Sequence, residues 1–150
     1  MTEHTPVRSA ASIAGHPIHP MLVPLPIGLL SAAFVSDLAF LCAGDRFSAR
    51  ASRWLTGGGV LTGLSAALFR ITDFATLSRP RDHVEGWDHA AGNVVVLVLG
   101  AASLRMRLTA GDRAIVPWGL MLSGLSAATL TVTAWLGGEL SYRYKVGVIE

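Results

Sequence analysis

Long apolar runs alternate with short polar clusters along this chain, and the runs have the length of membrane spans. A helix needs about 20 mostly apolar residues to cross the hydrocarbon of a bilayer. Stretches 21–43, 54–72, 89–104 and 116–137 meet or approach that length, and each lacks an internal charge over most of its course. The second is diluted by Gly57, Gly58, Gly59 and Gly63, and the third runs only about sixteen residues before Arg105. A span this short is accommodated by extension through its flanks or by local bilayer thinning. The connections 44–53 and 105–115 are short, and 73–88 is longer. Short links favour antiparallel neighbours, so the pattern predicts an all-α fold, an integral membrane four-helix bundle running up-down-up-down. The whole of 1–150 then forms one four-span domain, with 1–20 as a polar N-terminal segment ending in the motif HPIHP. Small residues four apart, Gly59 with Gly63 and Gly119 with Ser123, are placed to let helix backbones approach.

Composition agrees with the pattern: 51% of residues are hydrophobic and only 15% are charged, a balance suited to lipid rather than water. The formal charge of +2 is carried by residues bunched near span ends. No basic stripe with interleaved aromatics exists, so the bilayer and not nucleic acid is the expected partner. Cys42, the single cysteine, sits in an apolar run as a small hydrophobe and has no intrachain disulfide partner. The opening MTEHTPVRSAASIAG lacks the layout of a cleaved signal, which leaves the first span as an uncleaved insertion signal. Basic residues divide six against six: Arg46, Arg50, Arg53, Arg105, Arg107 and Arg113 oppose Arg8, Arg70, Arg79, Arg81, Arg143 and Lys145. The first set lies closer to span ends, where positive charge favours the cytoplasm. This predicts an inner-membrane protein with both termini outside the cytoplasm.

Chemically capable side chains are distributed unevenly about that topology. All five histidines, His4, His16, His19, His83 and His89, fall on the face that bears the termini, together with Asp73, Asp82, Glu85, Asp88, Glu139, Tyr142 and Tyr144. His16 and His19 are three apart and share a side in either an α-helix or a polyproline II segment. Pro20, Pro24 and Pro26 require that the helix begin near them. His89 and Asn93 share a helical face, with Asp88 placed as an N-cap. Arg70 and Asp73 pair at the exit of the second span, and Trp135, Glu139 and Tyr142 line one side where the fourth leaves the membrane.

The run GHPIHPMLVPLPIGLLSAAFVSDL, the pair His89 and Asn93 opening the third span, and GGELSYRYKVGV near the end together resemble a bacterial membrane family, domain of unknown function 2231. The resemblance covers nearly the whole chain. It implies a four-span integral membrane protein whose relatives sometimes accompany Rieske iron–sulfur domains, hence redox surroundings, and it implies no established reaction. Tyr144 stands where a histidine often occurs in the family, so no ligand role is carried over to it.

Three chemistries suit the histidine-bearing face. In the first, His19 or His16 and His89 ligate a b-type haem that carries electrons, with Asn93 on the face of His89 and Arg70 or Arg143 on a propionate. Gly57–Gly59, the one glycine cluster that would make room for a haem, lies toward the opposite end of the second span. In the second, His16, His19 and His89 hold a zinc, iron or copper ion with Asp73 or Glu139, although no HExxH or CxxC sharpens that reading. In the third, the protein is a structural membrane subunit without cofactor: histidines bond open carbonyls, Trp54, Trp87 and Trp135 form an interfacial belt, and Asn93 or Glu139 clamps helices. His4 and His83, in polar flanks, are read as solvated. A redox protein or a second copy of the chain is the partner these readings admit. Asp37, within the first span, is expected to pair with Arg50 or Arg53, or else to belong to a proton path. No nucleophile elbow, phosphate loop or inverted repeat points to another enzyme class or a transporter, and whether the protein is an enzyme stays open.

Overall fold

The computed structural model describes residues 12–14, 16–76, 84–139 and 142. A two-residue antiparallel bridge, β1 (Ser12–Ile13) with β2 (His16–Pro17), precedes five α-helices among the described residues. These are α1 (Ile18–Leu22), α2 (Pro24–Ala43), α3 (Arg46–Thr76), α4 (Val84–Ala110) and α5 (Leu120–Gly138). Pro24 has no N–H, so the helical ladder breaks at Val23, while Val23 N–H still reaches His19 O at 3.1 Å. α1 and α2 are thus one apolar helix with a proline break, which leaves His19 one turn before it.

The connection expected over 44–53 shrinks to Gly44 and Asp45. Gly44 adopts a left-handed φ of 63° and donates its N–H to Phe40 O at 2.8 Å, closing α2. Asp45 then opens α3: its Oδ1 accepts the Ser48 amide at 2.9 Å and its Oδ2 accepts the Ser48 hydroxyl at 2.7 Å. These two bonds hold the Asp45 carboxyl below its ordinary range, the hydroxyl contributing most. With its cap at Asp45, α3 reaches 31 residues, about 46 Å at 1.5 Å per residue and longer than the ~30 Å of bilayer hydrocarbon. The apolar run marks the stretch suited to lipid, not the limits of the helix. For the same reason α4 begins at Val84, which puts Asp88 inside the helix rather than at its cap, and it continues past Arg105 to Ala110. Beyond it, a 3₁₀ turn (Gly111–Ala114) and a wide turn (Ile115–Gly119) lead into α5. Val116 is extended there, as the residue before a proline is biased to be.

Neighbouring helices pack antiparallel. Pro26 faces Gly63, Leu30 faces Gly59, and Asp37 bonds Ser52, so positions rising along α2 fall along α3. Likewise Gly57 meets Leu104 and Gly63 meets Leu97 between α3 and α4, while Gly92 meets Thr133 and Arg107 meets Gly119 between α4 and the turn–α5 segment. Glycines permit close approach at several of these contacts. A Cβ on Gly59 would lie 2.6 Å from Leu30 Cγ, and one on Gly92 would overlap the Thr133 methyl. Gly59 admits α2 through Leu30, and Gly63, a turn on, admits both Pro26 of α2 and Leu97 of α4.

Burial is inverted relative to a protein that folds in water. Apolar side chains such as Val35, Leu61, Leu68, Val98, Leu125 and Val132 face outward, whereas Ser52, Thr56, Ser103, Ser123, Ser126 and Thr133 are buried. The apolar core among the described residues is small, Leu30, Val96 and Leu130 with Ile27 against them. An exterior this apolar is a liability in water and suits hydrocarbon. Two helical stretches, Ile18–Ala43 and Gly86–Gly138, are long and apolar enough to cross a membrane, the latter comprising α4, the turn and α5. α3, with its arginines, serines and glycines, does not reach that threshold.

Candidate functional site

A cavity of about 460 Å³ lies between the helices at the end where α1 enters. Its walls are almost entirely apolar, with Leu30, Val96 and Leu130 among them, and its polar members are His19, Arg70, His89, Asn93 and Thr133. The candidates His19, Arg70, His89 and Asn93 thus come together from α1, α3 and α4 around one space.

Both described imidazoles are fixed in the same way. His19 Nδ1 lies 3.0 Å from Ala66 O on α3, and His89 Nδ1 lies 2.8 Å from Thr133 O on α5. A carbonyl only accepts, so each Nδ1 carries the hydrogen, and in the neutral ring Nε2 carries the lone pair. Local sequence makes these reaches feasible. Gly137 stands one turn after Thr133, and a Cβ there would lie 3.0 Å from His89 Cε1, so glycine gives the ring room to settle against the carbonyl. Asn93 Nδ2 donates to His89 O at 2.8 Å, one turn back along α4, and the Asn93 side chain borders the cavity.

The remaining candidates divide. His16 and Asp73 have described backbones in β2 and the last turn of α3, while their side chains lie outside the described residues, as do His4, Arg79, Arg81, Asp82, His83, Arg143, Tyr144 and Lys145 in full and the Glu85 side chain. Glu139 is half-buried just past α5 and does not border the cavity. Among the described residues no three His, Cys, Asp or Glu side chains come together to hold a metal ion. Trp87 borders the cavity and is exposed, as are Trp54, Trp135 and Tyr142. Gly57–Gly59 lie away from the cavity, but Gly63 lines it, so a glycine does make room at the histidine end.

A second polar cluster lies toward the other end, and here the sequence expectation is corrected. Asp37 pairs with Arg107, not with Arg50 or Arg53. Arg107 Nη1 donates to Asp37 Oδ1 at 2.8 Å and Nη2 to Oδ2 at 2.7 Å, with the two side chains 1% and 0% exposed. Ser52 Oγ also donates to Oδ1, and Ser123 Oγ donates to Oδ2 at 2.6 Å, so each carboxylate oxygen receives two donors. Arg107 further donates to Ser52 Oγ at 2.6 Å and to Ser103 Oγ at 3.2 Å. α2, α3, α4 and α5 all contribute. Arg53 instead faces water and meets Asp112 at 3.1 Å, and Arg50 is exposed. Arg107 therefore leaves the set of surface cations counted toward topology. Nothing local in the sequence marks the pair as partners, because its members are 70 positions apart and Arg107 sits beside Arg105 and Met106 at an apparent span end. The available signal was Ser103 one turn before it. Gly119 closes the cluster, since a Cβ there would stand 3.1 Å from Arg107 Nη2 and 2.6 Å from Ala114 O.

An apolar exterior around a polar, hydrogen-bonded interior is the signature of helical membrane proteins. Residues 15–150 match the family described as "Predicted membrane protein (DUF2231)", and the chain belongs to it. No curated protein and no solved structure matches the chain.

Proposed function

We propose that the chain is a single four-span domain, an up-down-up-down bundle, that holds a b-type haem between His19 and His89 and carries electrons at the outer face of an inner membrane. The observation behind this reading is that two imidazoles from different helices border one apolar cavity, each with Nδ1–H held by a carbonyl. Axial ligation needs a neutral ring with its Nε2 lone pair available to iron, and such ligands are oriented by a second-shell acceptor on the other nitrogen. A volume near 460 Å³ falls within the ~300–1,000 Å³ of ligand sites. Arg70 supplies a cation for a propionate, and Asn93 steadies the backbone turn that carries His89. With Arg107 buried, Arg46, Arg50, Arg53, Arg105 and Arg113 remain at the opposite end, and we place that end in the cytoplasm. A redox protein would exchange electrons near Trp87.

The test is a visible absorption spectrum of the purified chain from haem-replete cells, oxidised and then reduced with dithionite. A Soret band that shifts on reduction, with sharp α and β bands, is expected, and His19→Ala or His89→Ala alone is expected to abolish it. A featureless spectrum from correctly folded protein overturns the haem reading. That outcome favours the second reading that the same two hydrogen bonds support, a structural subunit in which His19 braces α1 to α3 and His89 braces α4 to α5.

A further inference from the structure

A small pocket lies between Leu30 and the Asp37–Arg107 cluster, bordered by Thr56 of α3, Ser103 of α4, and Ser123 and Ser126 of α5. Its volume is about 10 Å³, at the lower edge of the ~10–15 Å³ a cavity needs to hold one water molecule. Hydroxyls in α5 otherwise bond back to carbonyls of their own helix: Ser123 to Leu120 O, Thr129 to Leu125 O, Thr131 to Ala127 O and Thr133 to Leu130 O. Ser126 departs from that habit. It is 2% exposed, and its Oγ has no hydrogen-bond partner among the described residues. A hydroxyl buried in this way is costly unless something pairs with it.

We propose that this pocket is a binding site for a single water molecule, which completes the hydrogen bonding of Ser126 and joins it to the Asp37–Arg107 cluster. The donors and acceptors around the pocket complement one another. Ser103 Oγ accepts from Arg107 Nε, so its own hydrogen is available to donate inward. Thr56 Oγ1 gives its hydrogen to Ser52 O, and Ser123 Oγ gives its own to Asp37 or Leu120, so both offer lone pairs. Ser126 Oγ serves either way. A water accepts one bond, donates two and shares a fourth with Ser126, within the two to four that buried waters make. A small cation would be offered neutral hydroxyls beside the Arg107 guanidinium, whose charge repels it, so the ligand is neutral. Leu30 walls both this pocket and the histidine cavity, and its side chain separates the water from that larger space. This assignment stands apart from the haem reading.

A high-resolution crystal structure of the full chain grown in a lipidic phase tests it. A solvent peak at about 2.5–3.0 Å from Ser126 Oγ is expected. Ser126 turned back onto Leu122 O with no peak overturns the site, and a peak that exchanges for rubidium or thallium in anomalous scattering overturns the neutral ligand. Thermal melting of Ser126→Val gives an independent sign. A methyl that expels the water strands the Ser103 hydroxyl, so the melting temperature is expected to fall by about 2–4 °C. A melting temperature unchanged or raised means a dry void has been filled, and the proposal fails.

Discussion

Arg107 and Asp37 show how one pair of charges survives without water. Each carboxylate oxygen has two donors, and the guanidinium fork meets it bidentately, the arrangement in which burying two ions is least costly. Breaking the pair leaves one buried ion uncompensated. Arg107→Leu or Asp37→Leu alone is expected to lose about 3–5 kcal/mol of stability, while the double variant regains most of it, in denaturant unfolding of the detergent-solubilised chain. A double variant no more stable than the singles would show that the hydroxyls around the pair, rather than the pair itself, hold the helices. At the surface, Asp45 behaves differently. Its carboxyl is held below the ordinary value of 3.8 by Ser48, so its capping contribution is full above that value and fades as pH falls through the lower folded one. The stability gap between the wild type and Asp45→Ala is expected to narrow as pH drops from about 6 to about 3 in thermal melts. A gap constant with pH would remove the ionised cap from the account of α3.

Among the elements, the existence of the apolar helices was legible from hydropathy alone, but their ends were not. The start of α3 was hidden because Asp45 caps a polar first turn that no apolar periodicity announces, and α4 runs past Arg105 with the next arginine, Arg107, satisfied inside the protein. Of the candidate site, the association of His19, His89, Asn93 and Arg70 could be anticipated, because each stands where a helix enters the same layer. Their carbonyl partners could not, since hydrogen bonds to Ala66 O and Thr133 O depend on which small residues face an imidazole across a helix pair. Gly137 was the clue for one of them. Gly137→Val is expected to displace the His89 ring from Thr133 O, and on the haem reading to weaken the Soret, α and β bands in the direction of His89→Ala. An unchanged spectrum in a haem-loaded Gly137→Val protein would mean that this hydrogen bond does not set the ligand.

For the whole molecule, orientation is the most consequential question, and the chain carries its own reporter. Cys42 is exposed near the short α2–α3 turn, the end assigned to the cytoplasm. A membrane-impermeant maleimide is expected to leave Cys42 unlabelled in intact cells and to label it in inverted vesicles, and the reverse pattern would invert the topology. The inward-facing hydroxyls and outward-facing leucines also explain why an all-helical membrane protein was legible in the sequence while the partners of its side chains were not. Hydropathy reports what a side chain is, and the identity of its neighbour is decided by register between helices far apart in sequence.

The buried Arg107–Asp37 pair has a further consequence, for the order in which the protein is made. An arginine at the centre of a spanning helix costs about 2.5–3.5 kcal/mol on insertion scales, and Arg107, in the last turn of α4, carries a smaller part of that cost. α4 therefore enters the membrane more readily when a counter-charge is already waiting, and Asp37, on α2, is synthesised 70 residues before Arg107. Ser52 on α3 emerges in the interval and already donates to that carboxylate. Biogenesis of the later helices is in this sense templated by the earlier ones, and a ribosome-stalled chain ending beyond α4 is expected to retain α4 in the bilayer less efficiently when Asp37 is leucine.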